Sequence, residues 1–422
     1  MSATSILDDL QARSLLALTT DREALAAVLG SGSVPFYVGF DPTAPSLHIG
    51  NLVQILTARR LQDAGHRPLA LVGGATGLIG DPSGKSAERS LNERDVVAGW
   101  VERIRSQVSR FLAFEGPAAA TMVNNLDWTA SVSAIDFLRD VGKHFPVNRM
   151  LDRESVSVRL AAGGLSYTEF SYQVLQANDF LELHRRHGCV LQFGGSDQWG
   201  NITAGVDLVR RVTGTGVHAF ATPLVTKADG TKFGKTETGT VWLDPELTSP
   251  YAFYQFWLNA DDADVVRWMP AFSLRPVEEI AALAEETRER PAARPAQRAL
   301  AEELTTLVHG ADATARVVAA SRALFGQGDL AALDGATLES ALAELPRAKA
   351  SRPFPRVADL LADAGVCASR SAARRDIAGG GAYVNNAKVS DPDALLREED
   401  VLAGRWVVLR RGKRALAAVE VL

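Results

Sequence analysis

Between Tyr37 and Asn51 the chain reads YVGFDPTAPSLHIGN, and this stretch restricts the fold more than any other. Tyr37 to Phe40 is apolar and β-prone, which predicts a short buried strand. Pro42 and Pro45 fix φ and remove two amide donors, so the strand must end in a turn. Ser46 is expected to cap a helix that runs to about Ala64, where Gly65 can stop it. Leu52, Val53, Ile55, Leu56 and Leu61 give that helix an apolar stripe. His48 and Asn51 lie three apart in its first turn and share a face, and Gly50 leaves room for a ligand beside the backbone. A helix start with free N–H groups and two neutral donors suits a phosphate. A plain strand–turn–helix with a surface histidine satisfies the same pattern without any ligand.

Further along, short apolar strands at 68–72, 121–123 and 190–193 alternate with helix-period segments, notably 92–114, 133–141 and 168–183. That alternation predicts an α/β fold with a parallel sheet covered on both faces, whose ligands sit at the carboxyl ends of the strands. After Pro250 the texture becomes helical to about Leu345, and KASRPFP from Lys349 to Pro355 reads as a linker. The tail mixes short helices at 357–364 and 371–378 with strands at 382–384 and 406–409.

A net charge of −5 argues against a uniformly basic nucleic-acid binder. The charge is uneven, however. From Arg352 onward there are 12 Lys+Arg against 9 Asp+Glu, and the remainder holds 33 against 41. A basic tail behind an acidic body suits a separate RNA contact. Cys189 and Cys367 are too far apart in sequence to suggest a metal site or a disulfide framework. Neither a signal-peptide pattern nor a long apolar run is present, so no membrane association is expected and the cytoplasm is the expected compartment.

Four other segments carry candidate chemistry. In GGATGLIGDPSGKS from Gly73 to Ser86, Gly73, Gly74, Gly77 and Gly80 would let the backbone approach a ligand closely, with Asp81 at the rim; a tight turn with a solvated Asp satisfies the same residues. Gly84-Lys85-Ser86 and Gly234-Lys235-Thr236 look like P-loop endings, but the upstream glycine is one residue out of place in both. Tyr172, Gln176 and Asp179 fall at i, i+4 and i+7 of one helix, where they line a binding face or pack as a core tyrosine with two solvated neighbours. QFGGSDQWGN from Gln192 sits at a strand-to-helix junction, with Asp197 placed to accept from ribose hydroxyls. Lys232 and Lys235 lie three apart in a polar, glycine-bearing loop, a pattern common on any solvated surface.

Taken together these motifs resemble a known family. Pro-Ser-Leu-His48-Ile-Gly50-Asn51 is similar to the HIGH signature of class I aminoacyl-tRNA synthetases, with Asn51 standing where the second histidine falls. Tyr37-x-Gly39-Phe-Asp41-Pro-Thr43 resembles the bacterial-type tyrosyl-tRNA synthetase form of the preceding strand and turn. Lys232-Phe-Gly-Lys235-Thr236 resembles the KMSKS signature and follows the HIGH-like element in the family's order. The segment CASRSAARRDIAGGGAYV from Cys367 resembles the alpha-L RNA-binding motif. The resemblance covers essentially the whole chain. It implies a Rossmann-like, doubly wound catalytic domain over 1–247, an α-helical anticodon-side domain over 248–346, a linker over 347–355 and a small α+β RNA-binding domain over 356–422.

The resemblance also implies roles residue by residue. Tyr172, Gln176 and Asp81 would hold the tyrosine amino group, and Tyr37 with Asp179 its phenol. Asn125 would orient Asp179, while Gln192 and Gln198 would touch the tyrosyl moiety. Gly39, Asp41, His48, Gly50, Gly195, Asp197 and Lys235 would line the ATP site. Thr43, His48, Asn51, Lys232, Lys235 and Thr236 would stabilise the phosphates in transfer. Val38 stands where relatives often carry a ribose-contacting cysteine. Arg210 and Arg211 would meet the tRNA acceptor stem, and Arg370, Arg374 and Arg375 a structured part of the tRNA. The implied reactants are L-tyrosine, ATP with Mg, and tRNA(Tyr); the implied assembly is a homodimer. A tryptophanyl enzyme, a small-molecule nucleotidyltransferase and a purely RNA-binding descendant are the rival readings. Tyr37 with Asp179 suits a phenol better than an indole.

Overall fold

The computed structural model describes residues 5–83, 92–162, 164–231, 233–236, 239–343, 345–412 and 415–422. Its contacts divide the chain into two compact units. One holds Met1–Leu247 with Ala260–Leu300, the other Thr248–Asn259 with Ala301–Leu422.

The first unit is built on a sheet of six described strands, β1 (Leu18–Thr19), β2 (Pro35–Phe40), β3 (Arg67–Val72), β4 (Thr121–Asn124), β5 (Leu191–Gly195) and β6 (His218–Thr222), in the order β1-β6-β5-β2-β3-β4. All pairings are parallel except the edge pair of β1 with β6. From β2 the chain winds outward through β3 and β4, then returns to β5 and β6 on the other side. The winding therefore reverses between β2 and β5, and the crevice beyond their carboxyl ends is the expected ligand position in such a sheet. The expected strands are all present; β1 and β6 are additional, and β7 (Lys235–Thr236) pairs with β8 (Gly239–Thr240) in a separate two-stranded ladder.

Alternation along β2 feeds both faces. Tyr37 packs with Phe180 and Leu181 of the long helix Tyr167–His187 on one side. On the other, Phe36 lies 6.0 Å from Phe193, which stacks on Phe220 at 4.9 Å. Both faces of the strand are thus covered, which is why it reads as a continuous apolar run. The helix after β2 is Ile49–Asp63, and Leu52, Ile55, Leu56 and Leu61 are buried along its stripe. Its cap is His48, not the expected Ser46. The Ser46 hydroxyl is occupied elsewhere: it donates to Leu47 O and accepts from Gln107 Nε2 (2.9 Å) and Asp244 N (3.2 Å).

The region after Pro250 is helical as expected, in segments that include Pro250–Leu258, Asp262–Phe272, Val277–Glu289, Pro295–His309 and Ala311–Leu324. The contact division runs through it, so 260–300 belongs to the first unit. The second unit carries a sheet of β9 (Arg347–Ala350), β10 (Ala382–Val384), β11 (Ala387–Val389), β12 (Trp406–Arg411) and β13 (Ala415–Val421) in the order β11-β10-β12-β13-β9. Part of the stretch read as a linker is thus a strand, β9 pairing in parallel with β13. Val357, Leu360, Ile377, Val407 and Val419 fill the core beneath this sheet.

Candidate active site

At the carboxyl end of β2, Asp41 accepts from Tyr172 Oη (2.5 Å) and Thr76 Oγ1 (2.6 Å). Thr76 in turn accepts from Asn125 Nδ2 (2.9 Å), which also donates to Asp179 Oδ2 (3.0 Å). Asn125 Oδ1 is held by the amide of Ala75 (2.7 Å), and Trp128 Nε1 donates to Asp179 Oδ1 (3.0 Å). One network therefore joins Asp41, Thr76 and Asn125 with Tyr172 and Asp179 of one helix, four separate segments of the chain. Burial pushes the Asp179 carboxyl up to about 8, even with two donors pulling the other way. Burial first, then the nearby Asp179, also raises the Tyr37 phenol.

Three buried polar atoms in this region have no hydrogen-bond partner among the described residues: Tyr37 Oη, Gln176 Oε1 and Gln192 Oε1. Tyr37 and Gln192 face each other in register across β2 and β5. Buried polar groups are rarely left unmade, so a set of them beside a held carboxylate marks a place for a polar ligand. Asp81, expected at the rim, is instead buried, and it accepts from Gln198 Nε2 (2.5 Å) and Asn201 Nδ2 (3.5 Å). Each expected tyrosine-binding residue except Gln176 thus has a described contact or register partner within this set.

The glycine loop behaves differently from its expected role. A Cβ at Gly73 would lie 2.0 Å from Asp41 Oδ1, at Gly74 2.4 Å from Asn124 Oδ1 and at Gly77 2.6 Å from Pro42. These glycines make room for the protein's own side chains, not for a ligand against the backbone.

At the other end of the crevice, His48 Nδ1 accepts from Gly50 N and Asn51 Oδ1 accepts from His48 N, both at 3.0 Å. This reciprocal cap leaves the neutral imidazole with its proton on Nε2. A Cβ at Gly50 would sit 2.8 Å from the His48 ring, so the cap requires glycine there. The cap is paired with the chain that follows the lysine loop: His48 bridges Trp242, and Ile49 N donates to Val241 O (3.1 Å). Val241 N donates in turn to Gly234 O (3.1 Å), and Lys235–Thr236 pairs with Gly239–Thr240. Phe233 anchors the loop against Trp268 and Phe272 at 4.8 and 5.2 Å. The HIGH-like and KMSKS-like segments are therefore adjacent. Lys232 lies outside the described residues. Thr43 and Asp197 are exposed, and Gly39 is the one exposed residue of β2, with only Leu71 near a would-be Cβ. A Cβ at Gly195 would meet Asp197 Oδ1 at 2.5 Å.

Residues 31–326 match the family model "tRNA synthetases class I (W and Y)", and residues 337–419 match "Tyrosine–tRNA ligase SYY-like C-terminal domain". The chain belongs to this class I tRNA synthetase family. It is 66% identical over 420 residues to a tyrosine–tRNA ligase of Streptomyces avermitilis, covering 99% of both chains. It is 64% identical to that of Kineococcus radiotolerans, covering 99% of this chain and 98% of the other. Among solved structures, a C-terminally truncated mitochondrial tyrosyl-tRNA synthetase of Aspergillus nidulans aligns with a TM-score of 0.70 and 30% identity, over 76% of this chain and 94% of that one.

Synthetases of this family use ATP as a substrate. For the tRNA, the expected arginines differ in their surroundings. Arg210 lies 3.5 Å from Asp207, and Arg211 Nη1 donates to His144 O (3.1 Å). Arg370 pairs with Asp359 at 3.2 Å, and Arg374 grips Asp393 with both guanidinium nitrogens (2.7 and 3.0 Å). Arg375 is exposed and has no ion pair among the described residues. Sequence reading missed Thr76, Trp128 and Asn201. Each sits within three residues of a residue that was singled out, but nothing in its spacing tells which way its side chain turns.

Proposed function

We propose that this chain is a tyrosine–tRNA ligase that joins L-tyrosine to ATP, releases pyrophosphate, and passes the tyrosyl group from the adenylate to a terminal ribose hydroxyl of tRNA(Tyr). The observation that carries the choice of amino acid is the buried Tyr37 hydroxyl, unpartnered next to an Asp179 already oriented by Asn125 and Trp128. A substrate phenol would donate to Asp179 and accept from Tyr37, completing both. Phenylalanine would leave both unmade, at the cost of a buried unsatisfied group. An indole N–H could donate but could not accept.

Tyr172, Gln176 and Asp81 would bind the tyrosine ammonium, and Gln192 and Gln198 its body. The tyrosine carboxylate attacks the α-phosphorus; no side-chain nucleophile is required. His48, with Thr43, Asn51 and Thr236, would donate to the phosphates, and Lys232 and Lys235 would neutralise the charge that builds on the leaving pyrophosphate. Gly39, Asp41, Gly50, Gly195 and Asp197 would line the nucleotide. Mg would arrive on the triphosphate. Among the described residues no group of three or more His, Cys, Asp or Glu is gathered to hold a metal ion.

Domains over 1–247, 248–346 and 356–422 would divide the work into catalysis, anticodon-side contact and RNA binding, with Arg210, Arg211, Arg370, Arg374 and Arg375 on phosphates. Ile135, Leu138, Val147 and Tyr167 expose 76, 56, 58 and 70% of their surface within one stretch of chain, which supports a homodimer. Among the described residues no helix is long and apolar enough to cross a membrane, and we assign the protein to the cytoplasm, where tRNA is charged.

ATP–pyrophosphate exchange tests the reading. Tyrosine should drive exchange, and tryptophan and phenylalanine should not. Exchange driven equally by tryptophan would sink the phenol assignment.

A further inference from the structure

The helix Tyr167–His187 carries the row Tyr172, Gln176 and Asp179, and its first turn is held in an unusual way. Of its first four residues only Glu169 is buried, and Tyr167 is the most exposed. Glu169 Oε2 accepts from Arg159 Nη2 at 2.7 Å, with side chains 2% and 5% exposed. Arg159 belongs to the preceding helix Glu154–Ala162. The pair is incomplete: among the described residues Arg159 Nη1 and Glu169 Oε1 are buried without partners, as are both amide atoms of Gln173, one turn further on. Glu169, Tyr172, Gln176 and Asp179 fall at i, i+3, i+7 and i+10, so the pair sits at the head of the face that meets the amino acid.

A buried ion pair is a poor source of stability, because desolvation cancels much of the attraction and an apolar pair of similar size serves as well. What it supplies is direction: a guanidinium and a carboxylate fix distance and angle where two leucines would slide. We propose that Arg159 and Glu169 are positioning residues for the tyrosine subsite: they set the rotation of this helix so that Tyr172 reaches Asp41 and Gln176 faces the substrate ammonium. This rests on the tyrosine–tRNA ligase reading of the site. Neither residue touches substrate. The pair acts first on tyrosine binding and reaches the nucleotide end only through Asp41, so its effect there is the smaller.

The test is tyrosine-dependent exchange by the full-length protein. Glu169→Gln keeps the shape and removes the charge; its KM for tyrosine should rise about tenfold, with kcat and the KM for ATP within twofold. The double variant Arg159→Met, Glu169→Met should keep the parent Tm within a few degrees and show the same rise. The conservative Arg159→Lys should recover part of the loss. A KM for tyrosine within twofold of the parent in Glu169→Gln overturns the proposal, whether or not the double variant folds. Equal losses in the tyrosine and ATP constants would also overturn it, since a general structural defect gives that pattern. If the parent itself lacks tyrosine-dependent exchange, the functional reading fails first, and that outcome is distinguishable.

Discussion

The pocket behind Asp179 and the arginine-bearing helix Arg370–Ala378 are both clusters of charged and polar side chains, and they work under opposite physics. Asp179 is 3% exposed, and each oxygen takes one donor from a fixed side chain. Arg374 and Asp393 are 43% and 53% exposed, and water competes for every bond they make. In the pocket, burial dominates and drives the carboxyl up to about 8. On the helix, the hydrogen bond from Arg374 dominates and holds Asp393 below the ordinary carboxylate range. Buried groups are expensive to leave unpaired and so discriminate between ligands. Exposed ones exchange partners cheaply and respond to salt.

The largest expected effect belongs to the pocket. Asp179→Ala should lower the preference for tyrosine over phenylalanine by about two orders of magnitude, the order of ~2–3 kcal/mol for one buried hydrogen bond to a charged or unpaired group. Competitive exchange with both amino acids measures it, and an unchanged preference would put the phenol elsewhere. Next is the end of the crevice proposed for the nucleotide. Gly50→Ala forces a methyl into the His48 ring and should cut exchange at least tenfold through kcat, with little change in the KM for tyrosine. A selective rise in the tyrosine constant instead would erase the division of the crevice into two ends.

On the tail the expected effects are smaller and salt-dependent. Arg375→Ala should weaken tRNA binding severalfold near 0.1 M salt and lower the slope of log K against log salt by about 1. Arg374→Ala should do less, because that guanidinium must first leave Asp393. Equal losses from the two would show that surface pairing does not tune the contact.

The smallest effect separates the regions by pH. The Asp179 carboxyl is raised above its unfolded value, so the folded state holds this proton more tightly. Its contribution to stability is greatest at low pH and declines as pH climbs from about 4 through about 8. Asp179→Asn should therefore raise Tm relative to the parent, by more at pH 8.5 than at pH 5.5, while tyrosine selectivity falls. A Tm difference that shrinks with rising pH would contradict the assigned burial.

Much of the pocket was legible because helical spacing is rigid. Once Tyr172, Gln176 and Asp179 are on one helix, their common side follows from 3.6 residues per turn. The His48 and Asn51 pairing was legible for the same reason, three positions apart at a helix start. Less legible was Ser46, whose composition suits a cap but whose hydroxyl is claimed by Gln107, sixty-one positions away. The glycine loop was misread in purpose, since a glycine that admits a ligand and one that admits Asp41 or Asn124 look alike in sequence. Strand β9 was read as linker because a four-residue alternation of Arg, Ala, Lys and Ala carries little β signal until β13 lies beside it.

The amino-acid order alone determined the alternation of strands and helices, the helix face bearing Asp179 and the succession of the two signature segments, since each depends on local periodicity and turn chemistry. Tertiary structure alone decided that Asp41 joins Tyr172, that Trp128 braces Asp179, and that Arg159 meets Glu169 out of water. Those outcomes depend on which distant surfaces are brought together and dried, and no local rule carries that information.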